Sequence, residues 1–166
     1  TFIIINNTHD ELQEKIYTLK TDYTNNQKEL IKNHVNYIIN FIDYYNETFK
    51  DKKSQAEIQK EILQTIEKLR VNQNPNEYIF IYDFNGKLIQ DAVSKNNIGE
   101  NFYNLKDING KEVIKELITT SQKKHGGYVE YVWYKPEISK QTNKISYSLS
   151  YNKWNWTIGK GVYLDE

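Results

Sequence analysis

Residues 78–90 read YIFIYDFNGKLIQ, and this stretch decides the class of fold. The run Tyr78–Tyr82 consists of β-branched and aromatic residues, which favour a pleated strand. Asn85-Gly86 follows it, a dipeptide typical of tight hairpins in which both turn positions have positive φ. Residues 87–90 supply the returning strand. The stretch therefore predicts an antiparallel hairpin.

The chain beyond this hairpin continues the pattern of short strands around one helix. Apolar residues between Val113 and Ile118 are spaced three and four apart, which predicts a helix, and Gly126-Gly127 is expected to close it. Three further strands are predicted at residues 128–134, 144–151 and 156–163. Short turns join them, and short connections favour an antiparallel sheet.

The first third of the chain predicts one long helix. Thr8 and Glu11 fit a capping box, which places the expected helix start at Thr8. Apolar residues then recur at spacings of three and four to about residue 50, with no Gly or Pro between them. This length favours a coiled coil or a dimer-forming stalk, and polar breaks at Asn26 and His34 suit a modest interface. A helix that packs only on its own domain is the alternative.

A second helix is predicted after the polar turn at residues 51–54 and ends at Asn74-Pro75, since proline cannot continue the hydrogen-bond ladder. The expected fold is therefore α+β, with a long N-terminal helix and a second helix packed on an antiparallel sheet. Residues 1–76 form the helical region and residues 77–166 the sheet module, and together they make one domain.

Composition excludes several classes of function. The 166 residues carry 22 basic and 22 acidic side chains, a balance that argues against nucleic-acid binding. No Cys is present, which excludes disulfides and thiolate metal sites. No catalytic, phosphate-binding or metal-binding motif occurs, and the three histidines fall on predicted surface, so neither an enzyme nor a cofactor is expected. The apolar run Phe2–Ile5 is interpreted either as the remnant of a membrane helix or as an ordinary hydrophobic end.

One group of side chains suggests a binding site. Period-two alternation places aromatic and apolar residues together on three strands: Tyr78, Phe80 and Tyr82; Tyr131 and Trp133, followed by Lys135; and Ile145, Tyr147, Leu149 and Tyr151. Such a face can enclose a small ligand, with tyrosine hydroxyls and the lysine ammonium holding an anionic group. A plain aromatic core with a lysine reaching to solvent is the alternative.

Several segments of this sequence resemble the second subtype of the single Cache domain, found in bacterial chemotaxis receptors and sensor kinases. The matching segments, in order, are residues 78–83, Gly86-Lys87, 98–101, 107–111, 127–136, 144–147 and 154–163. The most specific are GYVEYVWYKP at residues 127–136 and WNWTIGKGVY at residues 154–163. The resemblance extends over essentially the whole chain, because the two N-terminal helices also fit this architecture.

The resemblance implies a PAS-like antiparallel sheet, a long helix that forms a homodimer, and a domain at the cell inner membrane that faces the periplasm. Flanking membrane helices, absent from this chain, would connect it to the signalling machinery. The implied ligand is a short carboxylate such as acetate, propionate, pyruvate or lactate. The pocket implied by the family lies on the sheet face under the segment after the hairpin, near Phe80, Tyr82, Asp91, Trp133, Lys135 and Tyr147.

Two positions depart from the family pattern. The family often has His-Pro after the second strand, where this chain has Asp91-Ala92, and a carboxylate there would repel an anion. An amine or amino-acid sensor that uses Asp91 and the aromatic residues is therefore an alternative. The family's Trp-Pro-Lys-Pro is replaced by residues 133–136, WYKP, which is expected to re-aim Lys135. A ligand-free module for dimerisation or for docking a binding protein is the alternative of another class.

Overall fold

A five-stranded antiparallel sheet forms the centre of the domain. The computed structural model describes residues 2–69 and 74–164, with side chains from Asn7 onward. The elements are α1 (Phe2–Phe49), α2 (Gln55–Lys68), β1 (Ile79–Asp83), β2 (Leu88–Asp91), α3 (Val113–Ser121), β3 (Gly127–Lys135), β4 (Lys140–Tyr151) and β5 (Trp156–Tyr163). The strand order in the sheet is β2-β1-β5-β4-β3, and the predicted α+β class and antiparallel sheet are confirmed.

The two faces of the sheet carry separate hydrophobic cores, because successive side chains of a strand point to opposite faces. On one face α1 and α2 pack through Val35 and Ile62 against Ile81 and Ile158 of the sheet. On the other face α3 packs through residues such as Leu117 against the aromatic side chains of β1 and β3. The sheet therefore separates a face covered by α1 and α2 from a face covered by α3.

Helix α1 is 48 residues long, which corresponds to about 70 Å at 1.5 Å per residue. Its C-terminal half covers the sheet, and Ile31, Val35 and Ile42 are buried there. Every described side chain from Asn7 to Tyr23 is exposed. The N-terminal half of α1 thus extends beyond the rest of the domain.

Two local predictions are wrong. Thr8 is not the start of α1, because the helix already includes Phe2, and nothing in the preceding sequence breaks a helical hydrogen-bond ladder. In the β1–β2 turn only Gly86 has positive φ, at 89°, while Asn85 stays at negative φ. The Gly86 amide donates to Asp83 O and the Asp83 amide to Lys87 O, so this is a longer turn with one left-handed residue.

Helix α2 begins where the sequence predicts. Ser54 is its N-cap and forms a reciprocal capping box with Glu57. The helix ends at Lys68, earlier than the predicted end at Asn74-Pro75, and residues 70–73 lie outside the described part of the chain. Within the described residues, no helix is both long enough and apolar enough to cross a membrane.

Candidate functional site

A cavity lies between the sheet and α3, on the face away from α1. The cavity is nearly filled by its own side chains, because the centre of a water molecule can reach only about 10 Å³ of it, about the room for one water. This is far below the roughly 300–1,000 Å³ of a pocket for a drug-sized molecule, so even a ligand of few heavy atoms requires the lining side chains to move apart. The described lining residues are Tyr78, Phe80, Tyr82, Asp91, Val113, Ile114, Leu117, Tyr131, Trp133 and Lys144.

Aromatic rings from two strands form most of the cavity wall. Phe80 and Tyr82 of β1 lie with ring centroids 6.0 Å apart. Tyr131 and Trp133 of β3 meet edge to face at 5.6 Å. The Tyr131 hydroxyl lies 2.7 Å from the hydroxyl of Ser146, so this buried tyrosine has a polar partner and its ring is fixed in place.

Lys144 supplies the positive charge of the cavity wall. Its side chain is 1% exposed. The Nζ donates to the Tyr78 hydroxyl at 2.8 Å and lies 4.4 Å and 4.8 Å from the ring centroids of Tyr78 and Tyr163. Burial lowers the pKa of Lys144 to about 7, although the Asp91 carboxylate partly opposes that shift. An amine in these surroundings carries its charge at high cost unless an anion approaches.

Asp91 supplies the negative charge of the same wall and ends β2. It is 5% exposed, and its Oδ1 accepts the backbone amides of Val93 and Ser94 at 2.7 Å and 3.0 Å. These two donors stabilise the carboxylate within its own turn. Burial, reinforced by Asp91, raises the pKa of Tyr78 and Tyr82 well above 10, so both hydroxyls keep their protons as donors.

Five of the seven residues expected at the site line this cavity: Phe80, Tyr82, Asp91, Tyr131 and Trp133. Lys135 and Tyr147 do not. Lys135 lies further along the β3 edge, where its Nζ is 5.7 Å from the Tyr163 ring and 3.9 Å from Glu137 Oε2. The expectation that Lys135 lies at the cavity rim is therefore corrected: the lysine of this wall is Lys144.

Tyr147 faces α1 and not the cavity. It belongs to the core under α1, its hydroxyl donates to His125 O at 2.6 Å, and its ring meets Tyr128 at 5.2 Å. The grouping of Tyr147 with the cavity aromatics is wrong, because the polar side chains of β4 face α3 and its aromatic side chains face α1. There the Ser148 Oγ donates to the carbonyl of Leu117, so a hydroxyl is buried with a partner.

Two lining residues lie outside the predicted set of site residues, Lys144 and Tyr78. The sequence predicts Lys144 only as the start of a strand, and the signal that identifies it is its alternation with Ser146 and Ser148 on one face of that strand. Tyr78 shares the predicted face of Phe80 and Tyr82, and that alternation is the signal for it. Within the described part of the chain, no group of three or more His, Asp or Glu side chains could hold a metal ion.

Comparisons with known proteins agree with this fold. Residues 23–166 match the family model described as Single Cache domain 2. The chain is 40% identical over 89 residues to the sensor histidine kinase MctS of Rhizobium johnstonii, covering 54% of this chain and 19% of that protein. It is 29% identical over 113 residues to the methyl-accepting chemotaxis protein McpP of Pseudomonas putida, covering 68% of this chain and 20% of that protein. The chain thus spans about a fifth of these relatives.

Two solved structures share the fold over nearly their whole length. One is a methyl-accepting chemotaxis protein of Vibrio parahaemolyticus, with a TM-score of 0.77 and 26% identity, covering 91% of this chain and 97% of that one. The other is a Cache chemosensory domain described for its recognition of carboxylic acids, with a TM-score of 0.72 and 26% identity, covering 92% and 98%. The chain therefore belongs to the single Cache domain 2 family, the non-enzymatic ligand-binding sensory domains of chemotaxis receptors and sensor kinases.

Proposed function

We propose that this domain binds a short carboxylate in the cavity, with the carboxylate at Lys144 and the small apolar part against the aromatic wall. The observation that carries the proposal is the buried amine of Lys144 in the cavity wall. A ligand carboxylate would form a charge-assisted hydrogen bond with Nζ and offset the cost of its burial.

Asp91 also lines the cavity, so the test includes the alternative that the ligand is an amine or an amino acid. The carboxylate is favoured because the negative charge of Asp91 is already stabilised by the amides of Val93 and Ser94. A cationic ligand would compete with these amides for the Asp91 carboxylate and would gain little binding free energy. The carboxylic acid recognition described for one structure of the same fold also supports the choice.

We further propose that the domain lies at the cell inner membrane, faces the periplasm and signals across the membrane as a homodimer through α1. The relatives are a sensor kinase and a chemotaxis receptor, both much longer than this chain. Four exposed apolar residues on the N-terminal half of α1, Leu12, Ile16, Leu19 and Tyr23, are spaced three and four apart, and the exposed Leu30 follows Tyr23 by seven residues. This spacing supports a helix–helix interface.

The test is calorimetric titration of the chain with acetate, propionate, pyruvate, lactate, matched amines and amino acids. At least one carboxylate is expected to bind. A ligand at 100 times its Kd stabilises a protein by about 2.7 kcal/mol, or roughly 5–10 °C in Tm for a domain of this size. Lys144→Met is expected to weaken binding about 10- to 100-fold, since it removes a charge-assisted hydrogen bond.

Lys135→Met is the matched control, because it removes a lysine near the same Tyr163 ring but outside the cavity wall. Its affinity is expected to match that of the native chain. Binding of amines alone, abolished by Asp91→Asn and unaffected by Lys144→Met, would replace the carboxylate proposal with the amine alternative. A panel without any binder would contradict both.

A further inference from the structure

A second cluster of ionisable side chains lies on the opposite face of the sheet, between the sheet and α1. Lys160 of β5 is 5% exposed, and its Nζ is 2.9 Å from His34 Nδ1 of α1 and 3.3 Å from Glu77 Oε2. His34 is half-buried here, so the expectation that it lies on open surface is wrong. Burial and the neighbouring Lys160 lower the pKa of His34, while Glu77 opposes that shift.

This cluster is joined to the cavity by a single peptide bond. Glu77 contacts Lys160 on the α1 face, whereas the next residue, Tyr78, packs with the cavity aromatics and accepts the hydrogen bond from Lys144. Two consecutive residues therefore contact opposite faces of the sheet. One planar peptide unit is therefore the whole covalent distance between the two faces at this point.

Other polar contacts between α1 and the sheet module are more remote from the cavity. The Tyr128 hydroxyl donates to Lys28 O, and Lys153 binds Asp43 and Glu47. None of these residues lines the cavity or precedes a lining residue directly in the sequence. Among these described contacts, the one through His34 has the shortest covalent connection to the cavity.

We propose that Glu77 and Tyr78 couple the occupancy of the cavity to α1 through Lys160 and His34. The inference rests on the proposed function, because it needs a ligand that competes with the Tyr78 hydroxyl for Lys144. A carboxylate at Lys144 Nζ changes the position of Tyr78, and the contact between Glu77 and Lys160 then changes as well. His34 responds because Lys160 and Glu77 are the charged groups that act on its imidazole.

The experiment follows the His34 imidazole by NMR in the 166-residue chain, without ligand and saturated with the tightest binder among acetate, propionate, pyruvate and lactate. The chain has three histidines, so His34→Gln assigns the signal. Saturation is expected to change the proton affinity of His34 about fivefold or more. Thermodynamic linkage requires that protonation of His34 changes ligand affinity by the same factor.

Glu77→Gln is expected to bind the ligand but to lose the His34 response, since Glu77 does not line the cavity. Glu47→Gln is the matched control, because it also breaks a carboxylate–lysine contact, the one at 2.8 Å between Glu47 of α1 and Lys153, and should keep the response. If Glu77→Gln does not fold, Glu77→Asp replaces it, with a reduced response expected because the shorter side chain reaches Lys160 less well.

Three results would overturn the coupling: ligand binding without any change at His34, a full response in the Glu77 variant, or equal loss in the Glu47 variant. Each leaves the proposed function intact, because binding is measured separately by calorimetry. If no carboxylate binds, the proposed function fails and the coupling fails with it.

Discussion

At the scale of single residues, the chemistry of the site depends on two opposite charges in an aromatic wall. Asp91 is stabilised by backbone amides of its own turn. Lys144 has Tyr78 as its hydrogen-bond partner and two tyrosine rings around its Nζ. These neighbours provide less counter-charge than a buried ammonium requires. Lys144 is therefore the residue that an incoming anion affects most.

Lys144 is expected to make the empty domain more stable as the pH rises from about 7 towards 10. The folded pKa is about 7 and the ordinary lysine value is 10.5. Between these values the unfolded chain holds one proton more at this position, so the free energy of unfolding rises with pH, by at most about 1.4 kcal/mol per unit. Below about pH 7 both states hold the proton and this dependence disappears.

The measurement is urea unfolding at pH 6 to 9.5 for the native chain and for Lys144→Met, which removes the titrating amine. The unfolding free energy of the native chain minus that of Lys144→Met should increase with rising pH above 7. Parallel curves across this range would show that Lys144 keeps its proton in the folded domain and that its burial does not lower its pKa.

At the scale of elements, the two faces of β4 and β5 determine where the cavity lies. On the cavity face β5 carries Gly159 and Gly161, which leave space for large side chains of the neighbouring strands. A Cβ on Gly159 would lie 2.3 Å from Phe80 Cζ, and one on Gly161 would lie 2.5 Å from Lys144 Cε. The absence of a side chain at these two positions of β5 is therefore what allows an aromatic ring and a lysine to lie in the cavity wall.

Gly159→Ala is expected to destabilise the domain by about 1–3 kcal/mol, because the Phe80 ring must leave its position in a packed wall. Gly110→Ala is the comparison: its Cβ would meet open space, and the change costs only the strain of φ at 82°, about 1–2 kcal/mol. Urea unfolding gives both values, and calorimetry should show weakened ligand binding for Gly159→Ala alone. Unchanged affinity in that variant would disprove the role given to Gly159.

At the scale of the whole molecule, the sheet separates the face of the proposed binding site from the face that carries α1. The cavity lies under α3, and α1 lies on the other side with an N-terminal half that extends beyond the rest of the domain. A ligand can favour one arrangement of α1 only if it binds the two arrangements with different affinity. In the proposed coupling, this difference in affinity would originate at the adjacent residues Glu77 and Tyr78.

Dimerisation is expected to depend on the apolar residues at the N-terminal half of α1. The double variant Ile16→Glu, Leu19→Glu should weaken self-association at least tenfold, because it places charges in the centre of the proposed interface. Tyr17→Glu is the control, since Tyr17 is 73% exposed and lies off this stripe. Sedimentation equilibrium measures both, and a native chain that stays monomeric at all accessible concentrations would contradict the homodimer.

The sequence by itself determined the strand and helix periods, the antiparallel sheet, the long first helix and the family segments, because these depend on local patterns of polarity and turn residues. Only the tertiary structure decided which face of each strand forms the cavity. In β4 the face with Lys144, Ser146 and Ser148 looks solvent-exposed, whereas the face with Tyr147 looks like a cavity wall. The structure reverses this assignment, because α3 and neighbouring tyrosines supply partners for the polar side chains and α1 covers the apolar ones.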